Sequence, residues 1–261
     1  MILAVDIGNT NITIGLYNDD ALIFVSRLGS DKSKMPDQYA SELSGIFRLY
    51  SIKPENFGGA IIGSVVPELT GVIKSAVMVV TGRTPLVLGP GVKTGLNIVT
   101  DNPAQLGSDL VAGAIGAILK YETPCLVLDL GTATKISAID SQGRYRGCAI
   151  APGVKISLNA LSSGTAQLPS VSIEAPASSI GTNTITSMQS GLVLGTASMI
   201  DGMCVRMEKD LGEEVKTIVA TGGVSSDIIK CCNINPVSDP NLVLDGLKAI
   251  YDKNKRTRSQ L

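Results

Sequence analysis

The chain has 261 residues, 44% of them hydrophobic, which is enough for one substantial core or two smaller ones. Its 22 basic and 23 acidic residues leave a net charge of −1, so it carries no basic footprint for nucleic acid or for an anionic membrane. Three Phe, six Tyr and no Trp offer few base-stacking surfaces, and the absence of histidine excludes Ser-His-Asp hydrolysis, Cys-His proteolysis and His-ligated zinc.

Apolar runs stop well short of the ~18 residues a membrane span needs. No basic region precedes an apolar one at the start, so the expectation is a cytoplasmic chain without a signal peptide. Cys125, Cys148, Cys204, Cys231 and Cys232 form no Cys-x-x-Cys pair and are expected to be free, mostly buried thiols.

Ile2 to Val5 is an apolar run that predicts a buried strand, and Asp6-Ile7-Gly8-Asn9-Thr10-Asn11 follows as a tight turn. Gly8 lets a ligand approach the backbone, while Asn9, Thr10 and Asn11 supply neutral hydrogen bonds suited to phosphate oxygens. Asp6 is placed to hold a hydrated Mg²⁺, a cation that prefers oxygen donors. The same residues would also serve an ordinary hairpin turn. Residues 12–17 and 21–28 predict two further strands around the turn Asn18-Asp19-Asp20, completing an antiparallel meander.

A helix is predicted from Pro36, with Tyr39, Leu43, Ile46, Phe47 and Tyr50 on one face. A buried strand over 60–66, a helix over 68–80 and a short strand over 86–88 come next. Asn102-Pro103-Ala104-Gln105 has the form of a helix start, with Asn102 as N-cap and Pro103 at the first helical position. Leu106, Leu110, Val111, Ala114, Ile115, Ile118 and Leu119 then form an apolar stripe. Asp109 falls about two turns into that helix, beside the stripe. On pattern alone it reads as a solvated helix aspartate.

The opening pattern returns at Cys125-Leu126-Val127-Leu128-Asp129-Leu130-Gly131-Thr132-Ala133-Thr134. A second meander is predicted through residues 135–140, the turn Ser141-Gln142-Gly143, and residues 145–150. Residues 154–163 predict a helix, 188–211 a long helix, and 217–220 a strand running into Thr221-Gly222-Gly223 with a helix beyond. Residues 166–183 predict a loop at a site, and Lys253 to Leu261 a frayed basic tail.

Two strand–Asp-x-Gly–meander units are an internal duplication. Two such loops facing each other would grip a polyphosphate, with Gly222-Gly223 lying flat beneath an adenosine. Neither a Walker A sequence nor Gly-x-Gly-x-x-Gly occurs. The resulting expectation is an α/β chain of two similar halves, residues 1–119 and 120–261. Each half has a mixed sheet with a three-stranded antiparallel meander.

Asp6 to Thr10, Asp129 to Thr134 and Thr221-Gly222-Gly223 resemble the two phosphate motifs and the adenosine motif of the acetate/sugar kinase, heat-shock protein 70 and actin superfamily. This resemblance implies that the two halves are ribonuclease H-like (actin-like ATPase) domains. Within the superfamily the chain resembles the type III pantothenate kinases nearly from end to end. The marks are Gly63-Ser64-Val65-Val66-Pro67, Pro90-Gly91-Val92-Lys93-Thr94-Gly95, Asp101-Asn102-Pro103, Gly107-Ser108-Asp109 and Ala151-Pro152-Gly153. Ile180-Gly181-Thr182-Asn183-Thr184 followed by Ser187-Met188-Gln189-Ser190-Gly191 is the most diagnostic, as a pattern for which no general structural need is evident.

The resemblance implies ATP-dependent phosphorylation of pantothenate to 4'-phosphopantothenate, the first step of coenzyme A biosynthesis, by a cytoplasmic homodimer. It implies that Asp6, Ile7, Gly8, Asn9, Thr10, Asn11, Ile12 and Thr13 bind ATP, with Asp6 holding Mg²⁺ through water. Thr132, Gly222 and Gly223 would complete the ATP contacts, and Asp129 would hold a monovalent cation, K⁺ or NH₄⁺. Asp109 would be the catalytic base, and Gly107, Ser108, Asp109, Leu110 and Thr184 would bind pantothenate. Phosphoryl transfer asks chiefly for positioning and charge neutralisation, and a carboxylate suffices to deprotonate an alcohol.

The sequence departs from the family pattern chiefly on the acceptor side. Leu110 stands where an arginine usually follows the catalytic aspartate, and Thr100, Gln105 and Thr182 replace a tyrosine, an acidic and a basic residue. Lys135 stands where a threonine is usual in the second phosphate loop. Losing one charge-assisted contact costs about 1.5–3 kcal/mol, roughly ten- to a hundredfold or more in affinity. Lys135 and Lys93 are candidates to replace the arginine. Three readings therefore stand: a pantothenate kinase with a rearranged acceptor pocket, a kinase for another hydroxylated small molecule, and a divergent paralogue that binds nucleotide or protein partners without catalysis.

Overall fold

The computed structural model describes residues 1–165 and 167–258. The chain opens with strands β1 (Ile2–Ile7), β2 (Asn11–Asn18) and β3 (Ala21–Gly29), followed by α1 (Pro36–Leu49), β4 (Gly59–Ser64), α2 (Pro67–Thr81) and β5 (Leu86–Val87). Next come β6 (Asn97–Ile98), α3 (Ser108–Lys120), β7 (Cys125–Leu130), β8 (Ala133–Ile139), β9 (Arg144–Pro152) and α4 (Val154–Gly164). Helices α5 (Thr184–Gln189) and α6 (Gly195–Leu211), strand β10 (Thr217–Thr221), α7 (Ser225–Ile229), β11 (Val237–Ser238) and α8 (Leu242–Arg258) complete it.

Two sheets result, in the orders β3-β2-β1-β4-β5 and β11-β10-β7-β8-β9-β6. In each, an antiparallel meander is followed by a crossover to a strand parallel to the first, β4 beside β1 and β10 beside β7. The duplicated α/β architecture expected from the repeat is the one observed. Short β6 and β11 carry too little pattern to be read from sequence.

The chain forms two compact units. Unit 1 comprises Met1–Leu96, Asn102–Leu119 and the chain from Leu242 onward; unit 2 comprises Asn97–Asp101 and Lys120–Asn241. Helix α8 therefore belongs with the first unit, whereas a division at residues 119 and 120 assigns it to the second half.

Packing gives the reason. Leu3, Val5 and Ile7 of β1 share one core with Leu43 and Phe47 of α1 and Leu69 and Ile73 of α2. The opposite face of the sheet is covered by α8, and three glycines make room for it. A Cβ at Gly63 would lie 3.0 Å from Leu247, one at Gly15 2.9 Å from Leu244, and one at Gly59 would overlap the Tyr251 hydroxyl. With helices on both faces, β1 reads as a continuous apolar run rather than an alternation. In unit 2, Leu126, Leu128 and Leu130 of β7 pack with Val154 and Leu158 of α4 and with Val193, Ala197 and Ile200.

Several boundaries differ from expectation. Helix α1 starts at Pro36 as predicted, with the Met35 amide donating to Gln38 Oε1 at 2.8 Å. Asn102 makes no side-chain cap. Pro103–Gln105 is a single 3₁₀ turn, Leu106 is extended, and α3 begins only at Ser108. Asp109 consequently sits in the first helical turn, not two turns in.

The helix predicted over 188–211 begins earlier, at Thr184, and passes through a π-helical turn (Ser190–Leu194) into α6. The tail from Lys253, expected to fray, continues α8 as far as Arg258, and Asn254 Nδ2 donates to the Lys93 carbonyl at 3.0 Å. Residues 259–261 lie outside the described residues, as does Ala166 of the expected loop. Residues 167–183 carry no helix or strand. Among the described residues no helix is long and apolar enough to cross a membrane. All five cysteines are free, with Cys125 and Cys204 buried and Cys148 exposed.

Candidate active site

In unit 1 the first loop is a tight hairpin. The Gly8 amide donates to the Asn11 carbonyl at 3.0 Å, and Ser30 ties the loop down by donating from Oγ to the Gly8 carbonyl at 2.6 Å and from its amide to the Thr10 carbonyl at 3.0 Å. Asn9, Thr10 and Asn11 are exposed, whereas the side chains of Ile7 and Ile12 are buried in the core. These two offer a ligand only their main chain. Asp6 sits near the end of β1, opposite Thr13 of β2 and level with Gly63 of β4.

Gly107, Ser108 and Asp109 are anchored to the same end of that sheet. Ile7 is in register with Ser64, and the Ser108 hydroxyl donates to the Ser64 carbonyl at 2.9 Å. The Asp109 carboxylate folds back over the start of α3, where its Oδ1 accepts from the Leu110 amide at 2.8 Å. A helix N-terminus favours a negative group there. A Cβ on residue 107 would lie 2.6 Å from Asp109 Oδ1, so Gly107 is required for this carboxylate orientation. The Gly63-Ser64-Val65 motif thereby gains a local purpose as the support on which Gly107-Ser108-Asp109 rests. Leu110 is half-buried.

In unit 2 the second loop is also a tight hairpin, one residue shorter than the first between its last paired residues. The Gly131 amide donates to the Ala133 carbonyl at 3.1 Å and the Gly153 amide to the Thr132 carbonyl at 3.2 Å. Any side chain at Gly153 would collide with the loop carbonyls, which explains the glycine of Ala151-Pro152-Gly153. Thr132 is exposed. Gly222, at φ +100°, packs its Cα against the Leu130 main chain, where a Cβ would lie 2.5 Å from the carbonyl oxygen. Only glycine adopts that conformation in that space. Gly223 beside it is exposed.

Asp129 lies directly opposite Lys135 in the β7–β8 register and beside Thr221 of β10. Lys135 Nζ is 2.6 Å from Asp129 Oδ2, with both side chains largely shielded from solvent. Lys135 is thus committed to Asp129, and the Lys93 amide donates to Asn254 Oδ1 at 3.2 Å in a different unit.

The segment from Ile180 to Gly191 turns out to have a structural job. Asn183 caps α5, its Oδ1 accepting from the Thr186 amide at 3.0 Å, while Thr186 Oγ1 accepts from the Asn183 amide at 3.3 Å. A Cβ at Gly181 would collide with the Ser187 backbone, and Ser190 Oγ donates to the Ser179 carbonyl at 2.7 Å. Thr184 is the first residue of α5 and is exposed. The capping box Asn183-x-x-Thr186 was the sequence signal for this helix start.

The family model for type III pantothenate kinase matches residues 2–206. The chain belongs to that family. Type III pantothenate kinases of Exiguobacterium sibiricum and Citrifermentans bemidjiense are 39% and 41% identical to it, over 98% of this chain and 100% of each relative. A putative 2-dehydro-3-deoxygalactonokinase from Sinorhizobium meliloti has the same fold, with a TM-score of 0.62 over 97% of this chain and 96% of its own, at 14% identity.

A kinase of the type III pantothenate kinase family uses ATP with a divalent metal. Among the described residues no group of three or more His, Cys, Asp or Glu could hold a metal alone. The oxygen donors of Asp6, Asn9 and Thr10 fit an ion that takes one carboxylate and completes its shell with phosphate and water, as Mg²⁺ does. The residues at Asp129 do not fit a monovalent cation. Its carboxylate already holds the Lys135 ammonium.

Proposed function

We propose that this member of the type III pantothenate kinase family transfers the terminal phosphoryl group of ATP to the primary hydroxyl of pantothenate. Family membership over the whole chain is the observation that carries the reading. In unit 1, the first loop from Asp6 to Thr13 holds phosphate oxygens, and Asp6 holds Mg²⁺ through water. When bound, that ion offsets the charge of the phosphates. In unit 2, Thr132 touches phosphate and the flat Gly222-Gly223 backbone accepts the adenosine. Thr184 and Gly107 to Leu110 contact pantothenate.

Asp109 accepts the proton of the pantothenate hydroxyl as its oxygen bonds to the γ-phosphorus and the bond to ADP breaks. Its orientation is preset by the Leu110 amide and by the missing side chain at Gly107. The K⁺ or NH₄⁺ expected with this activity is the one element the residues at Asp129 oppose. The protein works in the cytoplasm as a homodimer, for which exposed apolar residues of unit 2 such as Ile150, Ile156 and Ile185 offer surface.

An ADP-release assay with pantothenate and Mg²⁺ tests the reading. Asp109→Asn is expected to lower kcat by about 10²–10⁴-fold while leaving ATP affinity unchanged. Leu110→Arg is expected to lower KM for pantothenate by restoring a charged partner for its carboxylate. ADP release that ignores pantothenate but responds to another alcohol would overturn the choice of acceptor.

A further inference from the structure

The two loops of the duplication differ in one chemically decisive place. In unit 1 the register sets Thr13 opposite Asp6; in unit 2 it sets Lys135 opposite Asp129. Residues directly opposite on antiparallel strands project to the same face with their Cβ atoms within about 5.5 Å, so the backbone delivers the ammonium to the carboxylate without a search. The pair closes at 2.6 Å, with side-chain exposures of only 16% for Lys135 and 20% for Asp129. Shielding of that degree makes the attraction stronger than in a surface pair.

The carboxylate lies immediately beneath the turn of the second loop, since a Cβ at Gly131 would stand 3.5 Å from Asp129 Oδ1. A cation at Asp129 therefore neutralises charge beneath Gly131 and Thr132. An alkylammonium carries the same single positive charge as K⁺ or NH₄⁺ and offers three donors. A free cation placed on the same carboxylate would meet the fixed ammonium at close range and be repelled.

We propose that the Lys135 ammonium is a built-in replacement for the monovalent cation, so that this protein binds MgATP and transfers phosphate without added K⁺ or NH₄⁺. The transfer half of this statement rests on the kinase reading above; the binding half does not. Lys135 acts as a positioning residue, through Asp129 and the loop above it.

The test measures MgATP affinity by calorimetry, and ADP release with pantothenate, in tetramethylammonium, K⁺ and NH₄⁺ chlorides at one ionic strength. ATP is supplied as its Tris salt. For the unmodified protein both quantities are expected to vary by less than about fivefold among the salts. Lys135→Thr is expected to weaken ATP binding by more than about fivefold in tetramethylammonium and to recover it in K⁺ or NH₄⁺, because the vacated carboxylate then recruits the free ion.

A purely structural lysine would lower stability without creating that cation dependence. Lys135→Arg, which keeps the charge, is expected to stay independent of the salt. A larger salt dependence of the unmodified protein overturns the proposal, whether or not the variant folds. So does a Lys135→Thr protein that folds and binds ATP equally in all salts. Salt-independent ATP binding with no pantothenate turnover in any salt would sink the acceptor reading and leave the cation proposal standing. No ATP binding in any salt would overturn both.

Discussion

Asp140 shows how one buried carboxylate is held by charged and polar partners. Its side chain is fully buried at the β8–β9 turn, where it accepts from the amides of Gln142 and Arg144 at 3.1 and 2.9 Å and from Arg144 Nε at 2.7 Å. Burial pushes its carboxyl up, but the Arg144 amide, the Arg144 guanidinium and Arg146 together outweigh it and hold it below the usual carboxylate value. A carboxylate with a depressed folded-state value stabilises the fold above its unfolded value near 3.8 and loses that contribution as pH falls through the folded one. Asp140→Asn is therefore expected to cost roughly 2 kcal/mol in urea unfolding at pH 7. The gap between the two proteins should narrow below about pH 4, and a gap that stays constant into acid would contradict the assignment.

The cysteines and the catalytic candidate behave differently in legibility. Burial pushes the Cys125 and Cys204 thiols up to about 12 and that of Cys232 to about 11, so these stay protonated at neutral pH. Of the thiols expected to be mostly buried, Cys125 and Cys204 are, whereas Cys231 and Cys232 are half-buried and Cys148, which alternates outward on β9, is exposed. The sequence places Asp109 about two turns into a helix because Asn102-Pro103 imitates a helix start. The true start depends on a hydroxyl reaching a strand 44 residues away, which local pattern cannot contain.

Among the elements, α3 and α8 pack closely enough for main chain to meet main chain. A Cβ at Gly246 would overlap the Ala112 carbonyl, and one at Gly116 would overlap that of Leu242. Replacing glycine by alanine in a helix ordinarily stabilises by about 1 kcal/mol, while overpacking a close contact costs about 1–3 kcal/mol. At Gly246 the obstacle is a backbone carbonyl that cannot swing aside, so the cost wins. Gly71 in α2 is the counterexample, exposed and with nothing within 4 Å of its would-be Cβ. Gly246→Ala should lower Tm by several degrees and Gly71→Ala should raise it slightly. The same sign at both positions would refute the packing argument.

For the whole molecule, the consequence of α8 joining unit 1 is that the first fold unit is closed by the last helix. Leu244, Leu247 and Ile250 are each at most 2% exposed against it. Deleting a buried leucine or isoleucine side chain costs about 2–5 kcal/mol, so losing three approaches the entire stability of a typical domain, about 5–15 kcal/mol. A chain ending at Asn241 is expected to lose its cooperative melt and to be digested by trypsin within residues 1–96 under conditions the full chain survives. Equal resistance of the two would show that unit 1 stands without α8.

The repeated strand–Asp-x-Gly–meander pattern could be read directly because each copy is local: an apolar run, a turn and two alternating strands within about 30 residues carry their own hydrophobic period. The two loops, the glycines of Thr221-Gly222-Gly223 and the α/β class were legible for that reason. Where α3 begins, which unit α8 completes, and where the Lys135 ammonium comes to rest were not. Each depends on a strand register or a face-to-face packing between segments far apart along the chain or on opposite strands, and such contacts leave no periodicity behind. Lys135 is the clearest instance: in the sequence it is a basic residue in a threonine's place, and the β7–β8 register turns it into the partner of Asp129.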